Sequence, residues 1–429
     1  MAGVTKKRLH ALAFGVAFVG CLAIGQAQAT EGYFSHGYGA RNYSLGGAGV
    51  ADSRDAMALA VNPAGLAKVK RQLQGAITGF SPRREYTATG PGFVAPSAES
   101  DREFFPIPNI AYNHPLSEDS AIGIAVFGNG GMNTTYPAVA NPACGGGVGV
   151  FCGGKAGVDL IQAFVAVGYA HKFGSLSLGV SPIFALQRFK ASGLAAFGGV
   201  TADPGNLTGR GYDFSAGGGV RVGAEWEVME NLRVGASFQT KMYMSQFDRY
   251  SGLFEGRGDF DIPANVTAGI AYDVTPNFTA MFDYKRIFYS DVDAVGNGFT
   301  TIPPLFGTSG GPGFGWHDIN IFKFGAEWRM DDTWTFRAGY AFNENPIKSS
   351  DVTLNILAPG VTKHHITGGL AYTLNENHTV ELAGMFAPNT KVSGIEVTPA
   401  GPNPFRTIEL EMHQFALALG WNYNFGSGQ

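Results

Sequence analysis

The residues best suited to chemistry in this chain are cations set among apolar neighbours. Arg188, Arg221, Arg233, Lys285, Lys323, Arg329 and Arg337 occur in runs where large apolar residues take every second position. A cation in such a setting suits a carboxylate, and arginine can pair with one through two parallel hydrogen bonds. Glu225, Asp283, Glu327 and Glu381 fall on the same faces, so most of these charges are expected to pair with one another. Arg188, followed by Phe189, is kept as a candidate ligand contact. The apolar counterpart lies in longer irregular stretches, with Leu194, Phe197 and Val200 in one and Ile302, Pro303, Pro304, Leu305, Phe306, Phe314 and Trp316 in another. Exposed apolar patches of this kind mark binding sites, and the competing reading is that the loops pack on themselves.

Other chemistries lack their constellations. His364 and His365 are adjacent, so on a strand their rings point to opposite faces and share no metal well. The Asn-x-Thr triplets at Asn133, Asn206, Asn265, Asn277 and Asn377 would be glycosylation sites only in a secretory-pathway chain and otherwise read as turn residues. Gly37-x-Gly39 lacks the strand-to-helix setting of a nucleotide fingerprint. No nucleophile, base and carboxylate stand together, and no cofactor or metal is expected. A net charge of −4 gives no basic surface for nucleic acid. Cys144 and Cys152 flank Gly145-Gly146-Gly147 and, in an oxidising compartment, read as a small loop disulfide.

The elements that must position these residues are legible in composition and period. Of 429 residues, 45% are hydrophobic, 13% aromatic and only 15% charged, with 62 Gly, against about 25% charged in an ordinary soluble chain. No mature stretch supplies the roughly 18 unbroken apolar residues of a membrane helix. Lys6, Lys7 and Arg8, an apolar run from Ala11 to Ile24 and the Ala27-Gln28-Ala29 site make residues 1–29 a signal peptide. Cys21 is a poor match to a lipoprotein site beside it. Export is therefore expected, with maturation at Thr30.

From residue 73 the chain alternates. Phe415, Leu417, Leu419, Trp421, Tyr423 and Phe425 oppose Gln414, Ala416, Ala418, Gly420, Asn422 and Asn424, and 322–330 and 334–343 repeat the pattern. A period of two with unlike faces is a strand between two environments. Its charged face also carries Gly and Ala, which suits a crowded barrel interior. Short polar turns at Met229-Glu230-Asn231, Thr275-Pro276-Asn277, Asp331-Asp332 and Asn375-Glu376-Asn377 alternate with long connections at 129–157, 191–210, 246–258, 291–315 and 346–360, as periplasmic turns alternate with extracellular loops. Strands are expected to begin near 73, 103, 119, 159, 175, 211, 231, 259, 276, 316, 333, 361, 377 and 406, which makes 14. Most should run about 12–17 residues and project beyond a bilayer that 9–11 would span. Residues 30–72 do not alternate; a helical stretch near Ala56–Ala60 and the turn Asn62-Pro63-Ala64-Gly65 suggest a compact plug.

The ordered segments resemble the FadL-type outer-membrane transporters of long-chain fatty acids and hydrocarbons. The resemblance rests on Gly46-Gly47-Ala48-Gly49-Val50-Ala51-Asp52 leading to Asn62-Pro63-Ala64, on Phe105-Pro106-Ile107-Pro108-Asn109, and on Phe127-Gly128 with Met132-Asn133-Thr134. Gln187-Arg188-Phe189 with Gly193-Leu194, and Ala338-Gly339-Tyr340 before Asn345-Pro346, continue it over the mature chain. It implies a monomeric, all-β, 14-stranded antiparallel transmembrane β-barrel over 73–429, with an N-terminal hatch over 30–72 that includes Asn62, Pro63 and Ala64. It also implies a kinked third strand that opens the wall sideways. Phe127, Gly128, Gly130 and Gly131 lie where that kink would be, although the same residues could simply be a strand end entering a loop.

The function expected is passive uptake of hydrophobic small molecules across the bacterial outer membrane, with loop capture, hatch gating and lateral release. Its partners would be the ligand, outer-membrane lipids and lipopolysaccharide, and the barrel-assembly machinery, for which Gly420-x-x-Tyr423-x-Phe425 resembles a terminal signal. That signal is followed by Gly426–Gln429, where many barrels end on the aromatic. An outer-membrane phospholipase or protease barrel would not require the non-alternating segment, and a water-filled porin would conduct ions steadily where a hatched barrel would not.

Overall fold

The computed structural model describes residues 30–299 and 302–426; the expected signal peptide, 1–29, lies outside them. One sheet contains 16 strands, of which Ser97–Glu99 and Tyr243–Met244 are short side strands. The other fourteen form the wall. They are β1 (Gln72–Thr89), β2 (Phe105–Pro115), β3 (Ser120–Asn133), β4 (Gly157–Phe173), β5 (Leu176–Ser192), β6 (Asp213–Met229) and β7 (Leu232–Gln239). The second half is β8 (Asn265–Thr275), β9 (Phe278–Ile287), β10 (Ile319–Arg329), β11 (Trp334–Asn343), β12 (His364–Thr373), β13 (His378–Thr398) and β14 (Gly401–Asn424). Neighbours in sequence pair antiparallel, and β14 closes the ring on β1 from Gln72↔Asn424 to Thr89↔Thr407.

Alternation sets which residues face outward. Along β14, Phe415, Leu417, Leu419 and Trp421 are 39–56% exposed, while Gln414, Ala416, Ala418 and Asn422 are buried. The outward residues form an apolar band, and Trp226, Tyr272, Trp328 and Trp421 ring its short-turn rim, as interfacial aromatics do. Several inward positions are glycine because backbone passes against them. A Cβ at Gly339 would collide with Leu45 and Gly46, and one at Gly235 with Val50.

Strand lengths depart from the expectation on one side of the barrel. β7 to β12 have only 8 to 11 residues, enough to cross a bilayer and little more. β13 and β14 have 21 and 24, and β14 starts at Gly401 rather than near 406. Their outer connection is a tight turn at 399–400 instead of a long loop. β8 starts at Asn265 rather than 259. Phe260 and Ile262 continue the alternation, but both are buried, Phe260 against Phe254, and Pro263 lacks the N–H a ladder needs.

Residues 30–71 lie inside the ring. Helix α1 (Gly39–Ser44) packs on β1 and on β11 to β14, and a 3-10 turn at Pro63–Lys68 packs on β2 to β6. The helical stretch expected at Ala56–Ala60 is α2 (Ala58–Val61). Asn62 holds the turn that follows. Its side chain donates to the carbonyls of Val50 (2.7 Å) and, on β6, Ala224 (2.9 Å), and accepts from the Ala64 N–H (3.1 Å).

Candidate functional site

Every strand of the wall is laddered to its neighbours, and the shortest of these ladders among the described residues is that between β2 and β3. That ladder runs from Pro115↔Ala121 to Asn109↔Phe127 and stops. β3 nevertheless continues to Asn133, paired with β4, with a register shift between Gly128 and Gly130 that leaves Asn129 as an extra residue. Phe127, Gly128, Gly130 and Gly131 therefore sit at a bulge in mid-strand. Above it β3 pairs inward with the N-terminal segment: Ser35 N–H donates to the Asn129 carbonyl (2.7 Å) and Gly131 N–H to the Tyr33 carbonyl (2.9 Å). Gly130 is required there, because a Cβ would collide with the Tyr33 carbonyl. Asn129 points inward, accepting from Tyr38 Oη (3.2 Å) and donating to Gln162 (2.9 Å).

The facing edge of β2 is built so that it cannot pair. β1 pairs with β2 without interruption from Phe80↔Phe105 to Gln72↔Asn113. Such a ladder uses the N–H groups on the β1 side, so Pro106 and Pro108, which have none, turn towards β3.

Within the lumen the charges pair, as sequence alternation implied for most of them. Arg41 bridges Asp52 (2.6 Å) and Glu327 (2.9 Å); Arg337 joins Glu327 and Glu381 at 2.8 Å each; Arg233 meets Asp273 (2.6 Å). Glu31 sits between Lys285 (2.7 Å) and Lys323 (2.6 Å). Arg221 is held by the Ala60 carbonyl and Gln239. Arg329 reaches the Pro276 carbonyl at the short-turn rim. Towards that rim opens a cavity of about 1200 Å³, lined by Arg54, Lys68, Glu225, Glu227, Arg233 and Asp273 among others.

The long loops bring apolar side chains together above the lumen. Leu194, Phe197, Phe306 and Phe314 line one cavity with Val158 and Phe254. It holds only about 30 Å³, so the aromatic cluster is nearly filled by its own side chains. Phe197 contacts Phe93, Phe151, Phe299 and Phe306, and Phe189 packs on Tyr250 and Phe254. Trp316 lies deeper, against Tyr33 and Tyr289, with its indole N–H on Asn355 (2.6 Å). Leu305 and Arg188 do not line the cavity. Leu305 is half-buried beside it, and Arg188 stacks on Tyr212 (4.3 Å) near Asp159 (3.8 Å). Cys144 and Cys152 are joined, and Phe151, beside that bond, packs on Phe93 and Phe197. In the loop over 240–264, burial together with Asp261 and Glu255 pushes the Asp259 carboxyl up to about 6.

Several members of this arrangement gave no sequence signal. Glu31 is a single acid whose lysines lie more than 250 residues away, and Tyr33, Tyr289 and Phe254 look like any other aromatics. Pro106 and Pro108 were legible only as part of a family segment.

A closed antiparallel ring with an apolar outer band and an occupied lumen defines a transmembrane β-barrel. The chain belongs to the outer membrane protein transport family (OMPP1/FadL/TodX), whose model matches residues 16–426, and this places it in the bacterial outer membrane. It is 23% identical to the long-chain fatty acid transport protein of Escherichia coli K12, with 97% of each chain covered. Its fold is similar to the Pseudomonas putida toluene transporter TodX (TM-score 0.66, 18% identity, 91% of this chain and 99% of that one). It is likewise similar to a Pseudomonas aeruginosa FadL homologue (TM-score 0.68, 14% identity, 92% and 99%).

Proposed function

We propose that this barrel takes up hydrophobic small molecules, of the fatty-acid or hydrocarbon kind, by passive diffusion and without catalysis. The observation that carries the reading is the early end of the ladder between β2 and β3, beyond which β3 continues to Asn133 without a partner on β2. The outer aromatic cluster gives a ligand its first apolar surface, with Leu194, Phe197, Phe306 and Phe314 parting to admit it and Phe189 and Trp316 flanking its way inward. The inner segment, 30–71, acts as a hatch that blocks the straight path. Below it the cavity is lined mainly by charge, and an apolar molecule entering there would gain nothing from burial. Leaving sideways past Gly128, Gly130 and Gly131 avoids that charged cavity. The protein acts as a monomer among outer-membrane lipids and lipopolysaccharide, after insertion by the barrel-assembly machinery.

Deleting Asn129 removes the extra residue of the bulge and returns β3 to one-for-one pairing. Cells carrying this variant, with barrel amount and surface display matched to the parent, should take up a labelled hydrophobic probe no faster than cells without the protein. Uptake equal to the parent would refute the lateral route. Steady ion conductance of the parent in planar bilayers would favour a porin instead.

A further inference from the structure

On the outside of the barrel, the outward face of β5 changes character along its length. Leu178, Val180, Pro182 and Phe184 are exposed and Leu186 is half-buried; the next two outward positions are Arg188 and Lys190. The apolar part spans about the 9–11 residues that cross a bilayer core, so the two cations stand at its outer boundary. Their neighbours in register share that boundary. Lys190 pairs with Asp159 on β4, Arg188 with Phe214 on β6, and Asp159 with Asn133 at the end of β3. The Tyr212 ring carries Arg188 at 4.3 Å and Lys190 at 4.9 Å, and its hydroxyl donates to Asp159 (2.7 Å). Arg102, on the approach to β2, is 40% exposed and reaches the same carboxylate at 3.9 Å. The Gly209 N–H donates to the Ala191 carbonyl, which sets the exposed Arg210 beside the end of β5, and the exposed Arg249 donates to the Arg210 carbonyl (3.3 Å).

Charge does not balance in this patch. Arg102, Arg188, Lys190, Arg210 and Arg249 share it with Asp159, Asp213 and Asp248, and Asp213 accepts from the backbone N–H groups of Phe214 and Arg249. Arg102 and Arg188 both lean on Asp159, while Lys190, Arg210 and Arg249 form no ion pair among the described residues. Across the barrel the sign reverses. There β1 and β14 carry Glu85, Glu409 and Glu411 beyond the apolar band, with Lys391 of β13 between the last two. The outer boundary is thus basic on one side only.

Surplus cations at the edge of a bilayer select an anionic headgroup, and arginine and lysine both bind phosphate. We propose that Arg102, Arg188, Lys190 and Arg210 hold a phosphate monoester of an outer-leaflet glycolipid of the lipid A class, with an acyl chain along Leu186, Phe184 and Phe214. Phe214 is 61% exposed and adds chain contact beside the cations. A free phosphate meets the same cations but buries no apolar surface, so it binds more weakly than the lipid. Arg102 and Asn133 flank the stretch in which β3 has no partner on β2, so the lipid stands where a molecule leaving sideways would emerge. The site itself does not depend on that route; it requires only the barrel's place in the outer membrane.

The test titrates lipids onto the full-length refolded barrel in detergent, read by native mass spectrometry. Bis-phosphorylated lipid A should bind roughly tenfold tighter than lipid A stripped of its phosphates, and inorganic phosphate in large excess should not displace it. Each basic residue near an anionic lipid surface is worth about fivefold in affinity, so Lys190→Gln with Arg210→Gln should weaken lipid A binding about thirtyfold and leave the stripped lipid unchanged. Lys391→Gln removes a cation from the opposite side and should change neither. Equal binding of the two lipids overturns the proposal, as does a loss in Lys391→Gln that matches the double variant. Displacement by inorganic phosphate overturns the lipid as the source of the phosphate. Should the double variant fail to refold, the comparison of the two lipids on the parent chain decides alone.

Discussion

Replacing Asn62 by Ala removes three hydrogen bonds that tie the inner segment to itself and to β6, those to Val50, Ala224 and Ala64. The side chain is fully buried, so water does not replace them freely. At about 1 kcal/mol net each, the loss is roughly 3 kcal/mol, or about two orders of magnitude in the ratio of docked to undocked segment. Asn62→Asp separates the contributions. It keeps an acceptor for the Ala64 N–H but turns a carboxylate oxygen towards the Val50 and Ala224 carbonyls, so it should be at least as harmful as Ala. The assay is hydrogen exchange over 45–65 in the refolded barrel, with exchange in β13 and β14 as the internal reference. Both variants should lose protection over 45–65 by about the stated factor while the reference strands stay protected. Unchanged exchange in that window would refute the claim that Asn62 pins the segment.

Three further outcomes follow from the same reasoning. The raised carboxyl of Asp259 means that the folded loop favours its protonated form; the stabilisation is complete below about pH 4 and is lost as pH rises through about 6. Loop 240–264 should therefore be better protected from exchange, after correction for intrinsic rates, at pH 5 than at pH 7.5, and Asp259→Asn should flatten the difference. Reducing Cys144–Cys152 opens a loop closed across a sequence separation of 8 and should remove up to about 2 kcal/mol of local stability; protease should then cut within 134–156 while the barrel still migrates as folded. Leu417 is 56% exposed on the outward face of β14, and Leu417→Arg should cost about 2–4 kcal/mol of folding into bilayers if it lies near the midplane; a change under about 0.5 kcal/mol in reversible unfolding would contradict a lipid-facing position.

How much of this was readable from the chain depends on whether a feature is local. The faces of β14 and the tight turn at 276–277 follow from period and turn chemistry, which a few neighbouring residues carry. The charged pairs could be anticipated as a class, because like faces of a closed ring meet across its lumen. Individual partners could not: Arg41 finds Glu327 and Glu31 finds two lysines through packing over hundreds of residues. The start of β8 was misplaced because Phe260 and Ile262 keep an alternating pattern while folding into the aromatic cluster. Leu194, Phe197, Phe306 and Phe314 were readable as apolar loop residues, but that they close on each other around about 30 Å³ is a property of their contacts.

The seam between β14 and β1 carries a topological consequence. It joins 18 residue pairs without a shift, and the segment it encloses passes directly into β1 at Gln72. Once that seam is zipped, residues 30–71 stay tethered to the short-turn rim through Gln72, whatever path they take in the lumen. The same lock limits what can move afterwards. A cork fastened at one end and gripped by most of the surrounding staves does not come out whole; it can only shift within the ring that holds it.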